Sequence, residues 1–353
     1  MGSSQIPEQR RKTSPSGAFS PSSWQSRASF RARRWLSGGH VQTIASFLLP
    51  RRIRLPEPEE RLVEVAPGVK VRCWAYWQPQ NRSAALTVVV VHGLEGSSES
   101  QYMMGVARNG LAAGMNVVLM NQRNCGGMDH CAPTLYNSSL SGDVAAVARN
   151  FVANDHVSRF ALIGFSMGGN LVLKCAGEWG SSAPKEFKAV AAVCPAMDLA
   201  ASADALHEPA NRIYEWYFLW QLFGRIRRKA KLFPRHFDAS RLRGVSSLRG
   251  FDDRVTAPYC GFTGADDYYA RAAAANVVGG IAVPALIIHA ANDPFIRMRP
   301  ETERRIASNR NIAYVETEDG GHCAFVGEPD GDGYDGRWAE REVVEFVSQV
   351  SPP

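Results

Sequence analysis

Apolar and polar positions change period along this chain, and the changes mark out its elements. Residues 61–66 and 70–77 alternate around Pro67-Gly68, and period two on both sides of a turn pair predicts an antiparallel hairpin. Residues 86–91 form a continuous, largely β-branched run, the signature of a strand buried on both faces. Helical spacing over 101–113 closes at Gly114, and 116–120 reads as a strand. A helix follows over 140–152, with Leu140, Val144, Val147 and Phe151 on one side. Strand 160–164, helix 168–178 and strand 189–194 come next. Strands at 285–289 and 312–316 flank a helix near 302–308, and 338–350 is a closing helix. Strands that alternate with helices after an opening hairpin predict an α/β fold with a doubly wound, mostly parallel sheet.

The rhythm breaks over about 196–255. That stretch holds Tyr214, Trp216, Tyr217, Phe218 and Trp220, then the basic run Arg225, Arg227, Arg228, Lys229 and Lys231. It is longer than one crossover needs. It reads as a helical lid over the carboxyl edge of the sheet, where open α/β sheets place their ligands. Its aromatics suit either a buried helix face or a pocket wall. Its basic run suits a solvated face, or contact with an anionic membrane surface.

With 353 residues, 45% of them apolar and 21% charged, the chain is an ordinary globular length and composition. Wholesale disorder, collagen, coiled coil and a disulfide miniprotein are excluded. No apolar run approaches the roughly 20 residues that a membrane span requires. The net charge of +6 is confined to residues 1–34, which hold seven basic residues against Glu8 alone. The remainder, 35–353, is balanced and is expected to form the folded domain. Rich in Ser, Pro and Arg, the first 34 residues read as a disordered basic tail. An organelle transit peptide shares that composition. Seven unpatterned cysteines and no apolar leader point to a reducing compartment, and a cytoplasmic location is expected.

The candidate chemistry centres on Gly164-Phe165-Ser166-Met167-Gly168. A G-x-S-x-G between a strand and a helix holds its serine on a strained turn, with Oγ clear of the sheet. A serine hydroxyl needs a base, and the base needs an orienter. In such a fold the order is Ser, acid, His. Asp293 follows strand 285–289, and His322 follows strand 312–316 behind Gly320-Gly321. Asp319 is the rival acid, in the same loop as the histidine. The oxyanion donors expected are the N–H groups of Met167, next to the nucleophile, and of Leu94, in His92-Gly93-Leu94-Glu95-Gly96. His92 reads as a structural residue of that loop, and Cys323 as a small packed thiol. Cys125, His130 and Cys131 lack a second ligand pair with metal spacing. No phosphate-binding glycine motif is present. No cofactor and no metal are expected.

These residues resemble the α/β-hydrolase superfamily, and within it the type 4 family of YheT-like predicted carboxylesterases, over about residues 35–348. The resemblance extends to Gly39-His40-Val41-Gln42-Thr43, to His92–Ser98 as His-Gly-Leu-Glu-Gly-Ser-Ser, and to Asn121-Gln122-Arg123-Asn124-Cys125-Gly126-Gly127. It also covers Phe251-Asp252-Asp253, Thr256-Ala257-Pro258, Gly261-Phe262, Asp267-Tyr268-Tyr269 and Gly320-Gly321-His322. It implies a Ser166–Asp293–His322 triad with the stretch before Phe251 as lid. One departure stands out: the family commonly has Arg-Gly where this chain has Arg123-Asn124.

The expected function is therefore a serine carboxylic-ester hydrolase, acting on short- to medium-chain or lipid-like esters through an acyl-enzyme. Two alternatives share the site: an acyltransferase with an alcohol acceptor, and an idle hydrolase fold that only binds. The partner expected is a small-molecule or lipid ester, with peripheral membrane contact through the tail or lid as an addition. No specific nucleic acid partner is expected, and oligomeric state is left open.

Overall fold

A computed structural model describes residues 10–12, 24, 29–330 and 333–351. Its strands are β1 (Arg10–Lys12), β2 (Glu59–Ala66), β3 (Val69–Tyr76), β4 (Thr87–Val91), β5 (Asn116–Met120), β6 (Phe160–Phe165), β7 (Phe187–Val193), β8 (Ala285–Ala290) and β9 (Ile312–Thr317). Its main helices are α1 (Gly39–Leu48), α2 (Gln101–Ala112), α3 (Ser141–Asp155) and α4 (Met167–Trp179). Then come α5 (Leu199–Leu206), α6 (Arg212–Leu232), the one-turn α7 (Leu248–Phe251) and α8 (Ala257–Cys260), and α9 (Ala265–Ala272). Last are α10 (Pro300–Ser308) and α11 (Trp338–Gln349).

The described strands form one sheet in the order β1-β9-β8-β7-β6-β4-β5-β3-β2. From β9 across to β5 every neighbour pair is parallel. The opening hairpin joins antiparallel through β3, and β1 pairs antiparallel with β9 at the other edge. All five residues of β4 are buried, as are all six of β6. Helices cover both faces, so these strands need no polar side. Apolar residues of α3 and α4 close one core layer, and those of α2 and α11 close the other. β4 lies between β5 and β6, so the winding reverses there. The crevice at the carboxyl ends of β4 and β6 is where such a sheet takes its ligand.

Three features differ from the sequence reading. First, α1 was not foreseen, because its apolar side chains point outward. Val41, Ile44, Phe47 and Leu48 are exposed, whereas Gln42 is fully buried. Second, the tail read over 1–34 lies largely outside the described residues, but Trp24 is buried and meets Phe346 edge-on at 5.6 Å. Phe30 packs on Phe325 and Trp338. Large aromatic rings bury enough area to anchor even a polar segment locally. Third, the helical segment read over 196–255 continues through α8 and α9, and the sheet resumes only at Ala285. α9 buries Ala265, Tyr268, Tyr269 and Ala272 against Ala203 and Ala257, a small-residue and tyrosine face without an aliphatic stripe to betray it.

Candidate active site

Ser166 sits between β6 and α4 with φ 54 and ψ −120. A non-glycine residue in such a conformation stores about 1–3 kcal/mol and needs outside support. The backbone supplies it. Ser166 N–H donates to Val193 O at 2.9 Å, and its carbonyl accepts from Asn170 N and Ala196 N at 3.0 and 3.2 Å. The flanking glycines are steric necessities. A Cβ on Gly164 would lie 2.2 Å from Gly168 O, and one on Gly168 would lie 2.2 Å from Val91 O.

The carboxyl ends of β8 and β9 bring two more side chains to this point. His322 Nε2 lies 2.9 Å from Ser166 Oγ, and His322 Nδ1 lies 2.8 Å from Asp293 Oδ2. The carboxylate fixes the proton on Nδ1 and leaves Nε2 to accept from the serine. Asp293 is buried, and its Oδ1 accepts from Phe295 N and Ile296 N at 3.1 and 2.9 Å. Burial works to raise its pKa, but the charge and hydrogen bond of His322 outweigh that and hold it below the usual carboxylate range. Phe295 covers the imidazole, ring centroids 4.4 Å apart. Asp319, the rival acid, is occupied elsewhere. It accepts from Ser37 Oγ, Gly38 N, Asn292 Nδ2 and Gly320 N, all within 2.9 Å.

The loop carrying His322 is held by α1. His322 N–H donates to Thr43 Oγ1 at 2.8 Å, and Gln42 exchanges hydrogen bonds with the backbone of Val326. Gly39 approaches so closely that a Cβ there would lie 1.9 Å from Asn292 O. The 39–43 motif, noted in the sequence without an element or a role, thus braces both loops after β8 and β9.

Leu94 and Met167, the expected oxyanion donors, both face the same pocket as Ser166. Met167 is the first residue of α4, and first-turn N–H groups have no partner inside their own helix. Leu94 lies between two clamped amides. Gly93 N–H donates to Tyr102 Oη and Glu95 N–H to Tyr136 Oη, both at 3.0 Å. His92 is buried, with Nε2 accepting from Gln122 N at 3.1 Å. In the neighbouring loop Asn124 has φ 64. That is the left-handed region, which asparagine tolerates better than most side chains. Asn124 thus takes a backbone conformation that glycine also adopts freely.

Sequence reasoning missed the residues that hold the Leu94 loop to α6. Arg225 of α6 donates to both carboxylate oxygens of Glu95, at 2.8 and 2.9 Å. It also donates to Asn124 O and to Asp129, and it lies over the Tyr136 ring. Tyr136 Oη donates to Glu95 Oε1 at 2.7 Å. Arg225 and Lys229 are buried, while Arg227 and Arg228 are exposed. The basic run is therefore not one solvated face. Its 225/229 spacing, one helical turn, was the available signal.

The pocket is walled by Phe218, Leu222 and Ile226 of α6, Leu206 of α5, and Tyr268 and Tyr269 of α9. It encloses about 860 Å³ including its open mouth. Among the described residues, the cysteine, histidine and carboxylate sets with ligand atoms within 4.8 Å are Cys194–His322–Cys323 and Cys194–His289–Asp293. Cys125, His130 and Cys131 are not among them. A cation in either set would take a group that already joins Ser166 to Asp293, or its neighbour.

A family model described as alpha/beta hydrolase fold matches residues 87–329. The chain belongs to that family, as a carboxylesterase-like hydrolase. It is 30% identical over 308 residues to the Escherichia coli (strain K12) protein named "Putative esterase YheT", covering 86% of this chain and 89% of that one. It is 27% identical over 273 residues to Phospholipase ABHD3 of Mus musculus, covering 75% of this chain and 66% of the mouse protein. Among solved structures, the Pyrococcus furiosus esterase Pf2001 superposes with a TM-score of 0.57 at 18% identity, covering 86% of this chain and 97% of that one. At that identity the likeness concerns the fold. No described helix is long and apolar enough to cross a membrane.

Proposed function

We propose that this protein hydrolyses carboxylic esters with an apolar acyl group, short- to medium-chain or lipid-like, through an acyl-enzyme on Ser166. The observation that carries the reading is the unbroken chain from Ser166 Oγ through His322 to Asp293, at 2.9 and 2.8 Å, opening on an apolar pocket. Ser166 Oγ attacks the acyl carbon as His322 Nε2 takes its proton. Asp293 orients the imidazole and stabilises its cation. The N–H groups of Leu94 and Met167 receive the oxyanion. The departing alcohol takes the proton back from Nε2. Water then attacks the acyl carbon as Nε2 takes its proton, and Nε2 returns that proton to Ser166 Oγ as the bond to Oγ breaks and the acid leaves. The names of the Escherichia coli and mouse relatives, an esterase and a phospholipase, agree with an ester or lipid substrate.

A p-nitrophenyl ester series from acetate to palmitate, run beside a fluorophosphonate serine probe, tests this. Turnover with an optimum at short or medium length, and labelling on Ser166, is expected. Absence of both in folded protein overturns the reading and leaves an idle fold.

The pH profile is a second test. Burial opposes the His322 imidazolium, but the sulfur of Cys323 and the carboxylate of Asp293 outweigh it and raise its pKa. Cys323 is lowered in turn: burial opposes its thiolate, and the Cys194 thiol and the His322 charge favour it. Sγ lies 3.9 Å from Nε2. A base with a raised pKa is protonated, and idle, below that value. Thus kcat/KM rises with pH, about tenfold per unit below the midpoint, and the midpoint lies on the alkaline side of an ordinary imidazole. In Cys323→Ala the sulfur is gone and the midpoint moves down. A midpoint unmoved in that variant would show that the sulfur does not set the base.

A further inference from the structure

Nine of the eleven large apolar side chains exposed on the described surface belong to α1 and α6. On α6, Ile213, Trp216 and Trp220 stand at i, i+3 and i+7, and on α1, Val41, Ile44 and Leu48 repeat that spacing. Each triplet is one stripe of a helix. Exposure is high: 62% for Trp216, 71% for Trp220 and 68% for Leu48. The helices touch side by side. Phe47 meets Tyr217 edge-on at 5.8 Å, and His40 stacks on Tyr214 with Nδ1 3.0 Å from its hydroxyl. Phe47 and Tyr217, themselves exposed, link the apolar surfaces of the two helices, and exposed apolar surface of this kind marks interaction sites.

The exposed charges carried by the two helices themselves have one sign, and the exposed acids nearby, Glu208 and Glu328, are paired with Arg297 and Arg33. α1 carries no Asp, Glu, Lys or Arg, and exposed Arg34, Arg52 and Arg54 flank it. The acid of α6, Glu215, is buried and held by Arg212, His207 and the Leu248 amide. The exposed charges of α6 towards its end are Arg227, Arg228 and Lys231. A Trp- and Tyr-rich apolar face with a cationic rim fits a lipid headgroup boundary. A second copy fits poorly, since pairing the face with itself would set basic rim against basic rim.

We infer that the joined outer faces of α1 and α6 dock this protein on an anionic phospholipid surface. Docking does not depend on the ester reading, but its use does. The inner face of α6 supplies Phe218, Leu222 and Ile226 to the pocket. A docked α6 thus stands between the lipid surface and the pocket, and the substrate class it serves is an ester that resides in lipid.

The experiment is sedimentation of the full chain with phosphatidylcholine vesicles and with 3:1 phosphatidylcholine:phosphatidylglycerol vesicles. Wild type is compared with Trp216→Ser/Trp220→Ser, with light scattering for mass and near-ultraviolet dichroism for folding. Wild type binds the anionic vesicles, and removing two interfacial rings weakens binding by about tenfold or more. Turnover of a soluble short ester is unchanged in the variant, because neither tryptophan touches the triad or the pocket. Failure of wild type to bind either vesicle overturns the inference. So does equal binding by a folded double variant, which would place the contact in the basic tail, or a wild-type dimer that the variant dissociates without vesicle binding. Vesicle binding without any ester turnover would sustain the docking surface and overturn the ester reading.

Discussion

Ser166→Ala is expected to lower kcat on p-nitrophenyl butyrate by on the order of 10⁴-fold or more, with KM and stability little changed. The fold does not lean on the hydroxyl. The strained turn at Ser166 is held by three backbone hydrogen bonds, to Val193, Asn170 and Ala196, and by glycines at 164 and 168 that admit no Cβ. Alanine keeps all of these and removes only Oγ, so the variant should melt with the parent. The loss of an Oγ hydrogen bond to His322 is worth about 1 kcal/mol in stability at most. The size of the kinetic effect follows from chemistry. Without a nucleophile the site can orient an ester and polarise its carbonyl, yet forms no acyl-enzyme. Residual turnover would come from water held by His322. Equal activity in both proteins would mean that hydrolysis occurs elsewhere, and would end the Ser166 reading even with the triad geometry intact.

The parts of this molecule that rest on local pattern were legible in the sequence. β4, β6 and β8 are continuous apolar runs because both their faces are covered, and continuous runs are visible one residue at a time. Ser166, Asp293 and His322 were singled out because each stands just after a strand, and the structure brings them within hydrogen-bond distance of one another. What escaped was set by partners distant in sequence. α1 turns its apolar side chains outward and a glutamine inward, so its periodicity predicts the wrong face. Gln42 is buried because Val326 and Leu36 satisfy it, nearly 300 residues away in the case of Val326. Asn124 stands where the resemblance has glycine, and only the structure shows its φ of 64, a conformation open to both residues. Arg225 sits in a run of like charges that reads as solvated. Glu95, 130 positions earlier, draws it inside.

That last pair carries the second large effect. Arg225→Ala is expected to lower the free energy of unfolding in urea by about 3–5 kcal/mol, the cost of breaking a buried ion pair from one side. Side-chain exposure is 7% for Arg225 and 4% for Glu95, so the stranded carboxylate has little water to turn to. Tyr136 would still donate to it, but the two guanidinium donors would be gone. Activity should fall as well. Glu95 N–H and Tyr136 Oη hold the peptide next to the one carrying the Leu94 N–H, the proposed oxyanion donor, and Arg225 binds that unit to α6. A displacement of about 1 Å in such a donor can cost up to about 100-fold in rate. The loss should appear in kcat, because the oxyanion exists only after attack. Arg225→Met with Glu95→Gln removes both charges at similar volume. It should recover most of the stability, because no unpaired charge stays buried, while kcat stays low if the bidentate bond sets the loop. A double variant as unstable as Arg225→Ala would refute the pairing, and one with full kcat would refute the positioning role.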